Sequence, residues 1–464
     1  MTSSLSEPAS AHPYTPRAMS QLNLSVIGTG YVGLTAAATL AHLGHRVTGV
    51  DIDQDRIVAL GDGIVPFYEP GLAELIEQGT AAGRLRFTTD HAAAVAEADV
   101  VFVTVGSPTT ATGRADLSYV DAAVRQIAPV LQPGTAVVVK STVPVGTSAL
   151  LRSLLDELRP GLDVDMVANP EFLRQGSAVQ DFLHPDRLVV GADTERALTT
   201  MRQVYEPILT AEPAVDAVFT DTTTAELIKY GSNAFLAIKL SFINEMADLS
   251  EQTGADIEDV ARGIGLDPRI GPAFLQAGPG FGGSCLPKDT EALLYTGRAH
   301  GVSSRLVAAA IDVNEARKRQ MIDRIAAAVD GELADATIAV LGITFKAGTD
   351  DLRQSPAVDI VRRLIGHGAR VKVTDPEGID NARSTLPAAE YFEDPYDAIA
   401  GADVVVIATE WPEFAKLDLA RIAEVAAKPV VVDLRNLLDP AVATAAGLTY
   451  SSIGRPGRSG SDAG

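Results

Sequence analysis

One strand–turn–helix–strand phrase is written twice in this chain, once near each end, and that repetition constrains the fold more than any single motif. Its first statement, LSVIGTGYVGLTAAATLAHLGHRVTGVDID, reads as a buried strand, a glycine turn, an Ala/Leu-rich helix ending at Gly44 and a second strand reaching Asp51. Two β-branched runs follow, EADVVFVTVGSP and GTAVVVKSTVPVGT, each breaking into small polar residues. From about residue 335 the order recurs as ATIAVLGITF, ARVKVTDPE, GADVVVIATEWPEF and KPVVVDLRN. Continuous apolar strands alternating with helices specify a parallel sheet covered on both faces. The chain therefore reads as α/β, with two Rossmann-like, doubly wound domains. The second copy has Gly342-Ile343-Thr344-Phe345 where the first has Gly28-Thr29-Gly30-Tyr31. Having lost the glycine fingerprint, it is expected to hold a different ligand.

Between the copies, residues 215–325 carry little strand signal. DTTTAELIKYGSNAFLAIKLSFINEMADLSEQTG has apolar residues at helical spacing and ends near Gly254, and SSRLVAAAIDVNEARKRQMIDRIAAAVD also reads as helix. A helical block of this kind bridges the two sheets and offers a dimer surface. The expected division is a disordered tail at 1–20, a dinucleotide domain at 21–214 and a central helical domain at 215–325. A second Rossmann-like domain at 326–454 and a short disordered tail at 455–464 complete it. At 464 residues, 46% of them apolar, the chain is too long for one core. Its net charge of −22 argues against nucleic acid or an anionic membrane as partner. Residues 1–20 lack the apolar run of a signal peptide, and no stretch reaches the length of a membrane span. A single cysteine excludes an intrachain disulfide and suits a reducing, cytoplasmic setting.

Gly28-Thr29-Gly30-Tyr31-Val32-Gly33 fits the pattern G-x-G-x-x-G. Alone the pattern is weak; after a strand, opening a helix, and followed by a strand that ends on an acid, it is specific. The glycines allow a tight turn, close approach of backbone to a pyrophosphate, and contact of helix with sheet. Asp51 favours a ribose 2′-hydroxyl over a 2′-phosphate, so the cofactor is read as NAD. No metal is expected.

The stretch GPGFGGSCLPKD holds the only cysteine, Cys285, after four glycines and just before Lys288 and Asp289. Pro287 and the acids Asp289 and Glu291 suit a helix start, so the thiol is placed at a helix N-terminus beside a lysine. Both features favour thiolate, and the glycines are read as giving a substrate room. The alternative is an inert cysteine in a tight turn. Lys229 and Asn233 share one helix face, where a cation and an amide stabilise an oxyanion or hold a water; a plain solvated lysine is the competing reading.

With STVPVGT, NPEFLRQG, ELIKYGSNAFLAIKLSFINE, GFGGSCLPKD and FKAGTDDLRQSPA following GTGYVG in order, the chain resembles the UDP-glucose 6-dehydrogenase family from about residue 22 to 450. The resemblance implies two Rossmann-like domains joined by a long central helix. It also implies a four-electron oxidation of a nucleotide sugar, UDP-glucose to UDP-glucuronate, with two NAD and a cysteine adduct. By motif position Cys285 is the nucleophile. Lys229, Asn233 and Asp289 form the supporting cluster, Glu171 is the acid–base candidate, and Thr142 lies on the nicotinamide side. The NAD contacts implied are Gly28, Gly30, Tyr31, Val32, Gly33, Asp51, Arg56, Ser107, Thr142, Gln175 and Arg353. On the sugar-nucleotide side the resemblance places Glu171, Phe172, Leu173, Arg174 and Gln175, together with Lys229 and Asn233. The loop Phe274, Leu275, Gln276, Ala277 and Gly278 joins them, with Gly282, Lys288 and Lys346. Arg269 is expected to cross a homodimer interface. Gln175 stands where relatives commonly carry Glu, and Ser107 where Thr is usual. GDP-mannose 6-dehydrogenase chemistry, a two-electron hydroxyacid dehydrogenase of similar layout and a non-enzymatic sugar-nucleotide sensor are the competing functions.

Overall fold

The structure is a computed structural model that describes residues 21–455. The expected tail at 1–20, and all of the second expected tail except Arg455, lie outside the described residues. Arg455 itself is placed, with its Nε 3.3 Å from an Asp256 oxygen.

Eight strands form the first sheet: β1 Asn23–Ile27, β2 Arg46–Val50, β3 Leu85–Thr88, β4 Val100–Val103, β5 Ala136–Val139, β6 Asp165–Ala168, β7 Leu188–Ala192 and β8 Ala217–Thr220. Their order is β3-β2-β1-β4-β5-β6-β7-β8, parallel throughout except where β6 meets β7. The second sheet has β9 Thr337–Leu341, β10 Arg370–Thr374, β11 Glu390–Tyr391, β12 Val404–Ile407, β13 Val430–Asp433 and β14 Thr449–Ser452. It is parallel in the order β11-β10-β9-β12-β13-β14. The first five strands of one sheet and the first five of the other thus share a winding, as the repeated phrase implied.

Why the strand sequences lack polar alternation follows from the packing. Val100 and Phe102 face one core of the first sheet, Val101 and Val103 the other, and all four are fully buried. Ile338 and Val340 likewise oppose Ala339 and Leu341 across the second sheet. With helices on both faces, neither side of a strand has any use for a polar side chain.

Between the sheets runs a helix of 32 residues, Thr222–Thr253, about 48 Å long at 1.5 Å per residue. Asp221 caps its start by accepting from the Thr224 N–H at 2.7 Å, and Gly254, at φ +78°, ends it. Near its start Ala225 packs with Ala168 and Val189 of the first sheet. Towards its end Ile243 and Ala247 enter the core of the second. One rod therefore belongs to both halves. The helix Arg305–Ala327 packs alongside it.

One expectation is corrected. The first sheet does not finish before residue 215: β8 lies inside the segment read as strand-poor and pairs in parallel with β7. Its four residues, AVFT, are all partly or fully exposed, and three apolar residues are too short a run to mark a strand in the sequence.

Candidate active site

At the carboxyl ends of β1 and β4, where the strand order reverses, a doubly wound sheet opens a crevice. Gly28 turns the chain there at φ +97°, with its N–H donated to the Val50 carbonyl at 2.7 Å. Gly33 admits no side chain, because a Cβ would lie 1.9 Å from the Gly28 oxygen and 2.5 Å from Thr104 Oγ1. Gly30 is the reverse case: a Cβ there meets nothing within 4 Å, so the backbone faces open space. It precedes the helix Tyr31–His42, whose first N–H groups have no side-chain cap. These are the features a pyrophosphate requires.

Asp51 follows β2. One carboxylate oxygen accepts from the Thr29 N–H and hydroxyl, both at 2.8 Å, and lies 3.3 Å from Arg56. Burial pushes the Asp51 carboxyl up, but the hydrogen bonds from Thr29 and Asp53 together with Arg56 hold it below the usual range. A fixed anion there fits a ribose diol and opposes a phosphate. Across the crevice Ser107 Oγ donates to the Thr142 carbonyl at 2.6 Å, joining the loops after β4 and β5.

Cys285 caps the helix Leu286–Ala299 from its N-terminal side, as expected. The loop glycines have a different purpose from the one anticipated. A Cβ on Gly282 would strike the Gln354 carbonyl at 2.2 Å, and one on Gly283 the Phe345 ring at 2.7 Å. The protein's own second half makes the close approach. Nor is the thiolate favoured. Burial and the carboxylates of Glu171 and Asp289 push the thiol up, outweighing Lys229 and Lys288. Glu171 lies far from the helix start in sequence, and the fold alone sets it against the sulfur.

The thiol stands in the wall of a cavity of about 1050 Å³ between the two sheets and the long helix. Lys229 is buried there, with Nζ 2.5 Å from the Glu171 carbonyl and 3.1 Å from its Oε1. For Lys229 burial is overcome chiefly by the Glu171 carboxylate, with Asp289 adding to it, and the ammonium is held above its ordinary range. Glu171 is held low: burial opposes ionisation, yet Lys229 and the Leu173 N–H outweigh it. Asn233 Nδ2 donates to Asp289 Oδ2 at 2.6 Å, and the fully buried Asp289 takes Lys288 Nζ at 2.5 Å. Thus Cys285, Lys229, Asn233, Asp289 and Glu171 are brought together, and the solvated reading of Lys229 fails.

Phe172, Leu173, Arg174, Gln175, Phe274, Gln276, Ala277, Gly278, Gly282 and Lys346 also line the cavity. Phe274 does so from φ +62°, an uncommon conformation for a bulky residue. Leu275 does not line it: its side chain is buried in the core beside Ile243 and Ile257. Arg269, expected to cross a subunit interface, turns outward from its own chain, with a side chain 87% exposed and paired to Asp267. Gln175 reaches across to the second half, donating to Asp351 Oδ2 at 2.8 Å. Asp351 also grips the Arg353 guanidinium, 2.6 Å away. A Glu at position 175 would set two carboxylates face to face.

Sequence reasoning missed several residues. Lys140 lines the cavity, wholly buried between Asn169 Oδ1 at 3.1 Å and the Tyr205 hydroxyl at 3.3 Å, and burial lowers it to about 8. A lone lysine ending the run AVVV was the available signal. Arg435 enters from beyond β13 and donates to the Ala408 and Phe345 carbonyls at 2.9 and 3.1 Å. Glu69 accepts from Gly176 and Ala178 N–H groups and from the Tyr31 hydroxyl.

A dinucleotide turn on one sheet, a second sheet of the same winding and a half-buried thiol between them define an NAD-dependent oxidoreductase of two-domain type. Family models sharpen this. The NAD binding domain of the UDP-glucose/GDP-mannose dehydrogenase family matches residues 22–209, its central domain 223–316 and its UDP binding domain 339–440. The chain belongs to that family. UDP-glucose 6-dehydrogenase of Rhizobium meliloti is 50% identical over 94% of this chain and 100% of its own length. The enzyme of that name from Rickettsia conorii is 42% identical over 93% and 99%. A UDP-glucose dehydrogenase structure from Pyrobaculum islandicum superposes with a TM-score of 0.85 at 40% identity, covering 92% of this chain and 96% of that one.

Proposed function

We propose that the protein oxidises the C6 alcohol of UDP-glucose to the carboxylate of UDP-glucuronate, with Cys285 holding the sugar between two oxidations. The observation that carries this reading is the chain's one thiol in the wall of the same cavity as Lys229, Glu171 and Asn233. A two-electron alcohol oxidation has no need of a nucleophile; oxidation to the acid does. The match of residues 339–440 to a UDP binding domain supports the nucleotide end.

Bound NAD supplies the hydride acceptor for each two-electron step. Gly28, Gly30, Tyr31, Val32, Gly33, Asp51 and Arg56 would hold its adenosine and phosphate side, with Ser107, Thr142, Gln175 and Arg353 towards the nicotinamide. When the alcohol is oxidised, its hydroxyl proton leaves through water ordered by Thr142 and Asp289, while the Lys229 ammonium balances charge growing on oxygen. The thiol then adds to the aldehyde carbon and its proton passes to the aldehyde oxygen, giving a thiohemiacetal. A second loss of hydride and O–H proton yields the thioester. Water, activated by Glu171 or Asp289, attacks the carbonyl; the C–S bond breaks and the thiol takes back a proton. Overall one sugar and one water give the carboxylate, two hydrides and three protons. Arg174, Lys346 and Lys288 would offset the diphosphate, and the loop from Phe274 to Gly278 would flank the nucleotide.

The assembly is read as a homodimer in a cytoplasmic setting. Phe235, Phe242 and Leu249 stand 62, 45 and 54% exposed at seven-residue spacing on the long helix. Such a stripe calls for a partner helix. Arg269, turned out from its own subunit, would then complete the neighbour's cavity.

NADH formed per sugar across UDP-glucose, GDP-mannose and UDP-N-acetyl sugars tests the reading. Two NADH per UDP-glucose are expected. One NADH with free aldehyde favours the two-electron alternative, and preference for GDP-mannose overturns the substrate. In Cys285→Ala, acid formation should vanish while NADH still binds.

A further inference from the structure

Glu69 lies in the connection between the helices Gln54–Gly61 and Leu72–Ala81, is buried, and does not line the large cavity. Its carboxylate nevertheless joins the parts that do the binding. One oxygen accepts from the Tyr31 hydroxyl and, at 2.6 Å, from the Gly176 N–H; the other accepts from the Ala178 N–H at 2.7 Å. Tyr31 opens the helix of the dinucleotide turn, whereas Gly176 and Ala178 continue the loop that carries Glu171 and Gln175.

The same neighbourhood reaches the second half of the protein. Gln175, the residue before Gly176, donates to Asp351 at 2.8 Å. A Cβ on Gly176 would lie 2.5 Å from the Gly348 carbonyl, so these loops are in backbone contact. Lys346, assigned above to the diphosphate, begins that loop. A path of hydrogen bonds and one close backbone contact thus runs from Tyr31 through Glu69 and the 175–176 turn to residues 346–351.

We infer that Glu69 is a positioning residue that couples occupancy of the cofactor turn to the grip of the cleft on the nucleotide end of the substrate. Cofactor bound against Tyr31 fixes its ring, Glu69 passes that order to the 173–178 loop, and the loop seats residues 346–351. The inference rests on the proposed two-ligand reaction, but its test does not depend on turnover.

UDP is titrated calorimetrically into the full chain with and without saturating NADH. Couplings of this kind amount to roughly 5–150-fold in affinity. In the wild-type protein NADH should tighten UDP at least about fivefold. In Glu69→Gln, which keeps the shape but offers one acceptor fewer, the ratio should fall below about twofold, since half the loop contacts lose their partner. Should Glu69→Gln fail to fold, Tyr31→Phe, which removes only the hydroxyl end of the path, decides by the same ratio. A purely structural residue would weaken both ligands and leave the ratio intact. Full coupling in the folded variant, or none in the wild-type protein, overturns the inference. Absence of UDP-glucose oxidation by a wild-type protein that shows the coupling overturns the proposed reaction alone.

Discussion

Glu171→Gln should make Cys285 more reactive at neutral pH while lowering its limiting reactivity. Burial is the largest influence raising the thiol, and Glu171 is the largest contribution from a neighbouring charge. Removing that anion leaves the buried Lys229 ammonium facing the sulfur with less opposition. An opposite charge within about 4–6 Å moves a pKa by roughly 1–3 units and a like charge acts in the reverse sense; the low end, about 1, is expected because Lys229 already neutralises much of Glu171. One unit raises the thiolate fraction about tenfold at a pH well below the inflection. Intrinsic nucleophilicity falls with basicity at a Brønsted slope near 0.4–0.5, returning roughly threefold. The net expectation is iodoacetamide alkylation about threefold faster at pH 7 and about threefold slower at the alkaline plateau. With one cysteine in the chain, intact mass reports the modification without ambiguity. The wild-type inflection should lie above about 8.5, the ordinary thiol value. An inflection unmoved or raised in Glu171→Gln would refute the electrostatic account of the site.

Gly33→Ala should abolish NADH binding, measured by fluorescence titration, because its Cβ would overlap the Gly28 carbonyl that shapes the turn; near-normal affinity would show that the turn yields. Phe102→Ala, at the centre of the first sheet and fully buried, should destabilise that half by about 3–5 kcal/mol in urea unfolding. His45 is buried between the Val204 carbonyl and the Leu22 N–H, and burial lowers it from its ordinary value. It stays neutral in the folded protein while the unfolded chain takes up a proton below about 6.5. Its contribution is therefore fully present above that value and falls with acidity, by at most about 1.4 kcal/mol per pH unit. His45→Gln should flatten the urea midpoint between pH 6.5 and 5, and an equally steep decline would count against this assignment.

Much of the architecture could be read from the letters because its physics is local. Runs such as VVFV and TIAVL are apolar on both faces, Gly33 stands where helix meets turn, and Gly254 stops the long helix. What escaped depended on residues distant in sequence. The glycines around Cys285 announce a close approach, but only the fold shows that Gln354 and Phe345 make it. The thiol's character turned on Glu171, more than a hundred positions away. Lys140 and Glu69 gave almost no signal, since a charge's importance lies in being buried against particular partners. β8 was lost for the converse reason: an exposed four-residue edge strand carries too short an apolar run to stand out.

Asn233 and Asn244 stand eleven residues apart on the long helix, three turns and about 16 Å, and so face nearly the same way. The first holds Asp289 beside the thiol; the second accepts the Gly278 N–H of the loop assigned above to the nucleotide. Under the proposed reaction the rod would be a molecular ruler, fixing how far a reacting carbon sits from its nucleotide handle. Adding one residue between those asparagines would swing them about 100° out of register, so length discrimination among ligands is written into helical pitch as well as into pocket walls.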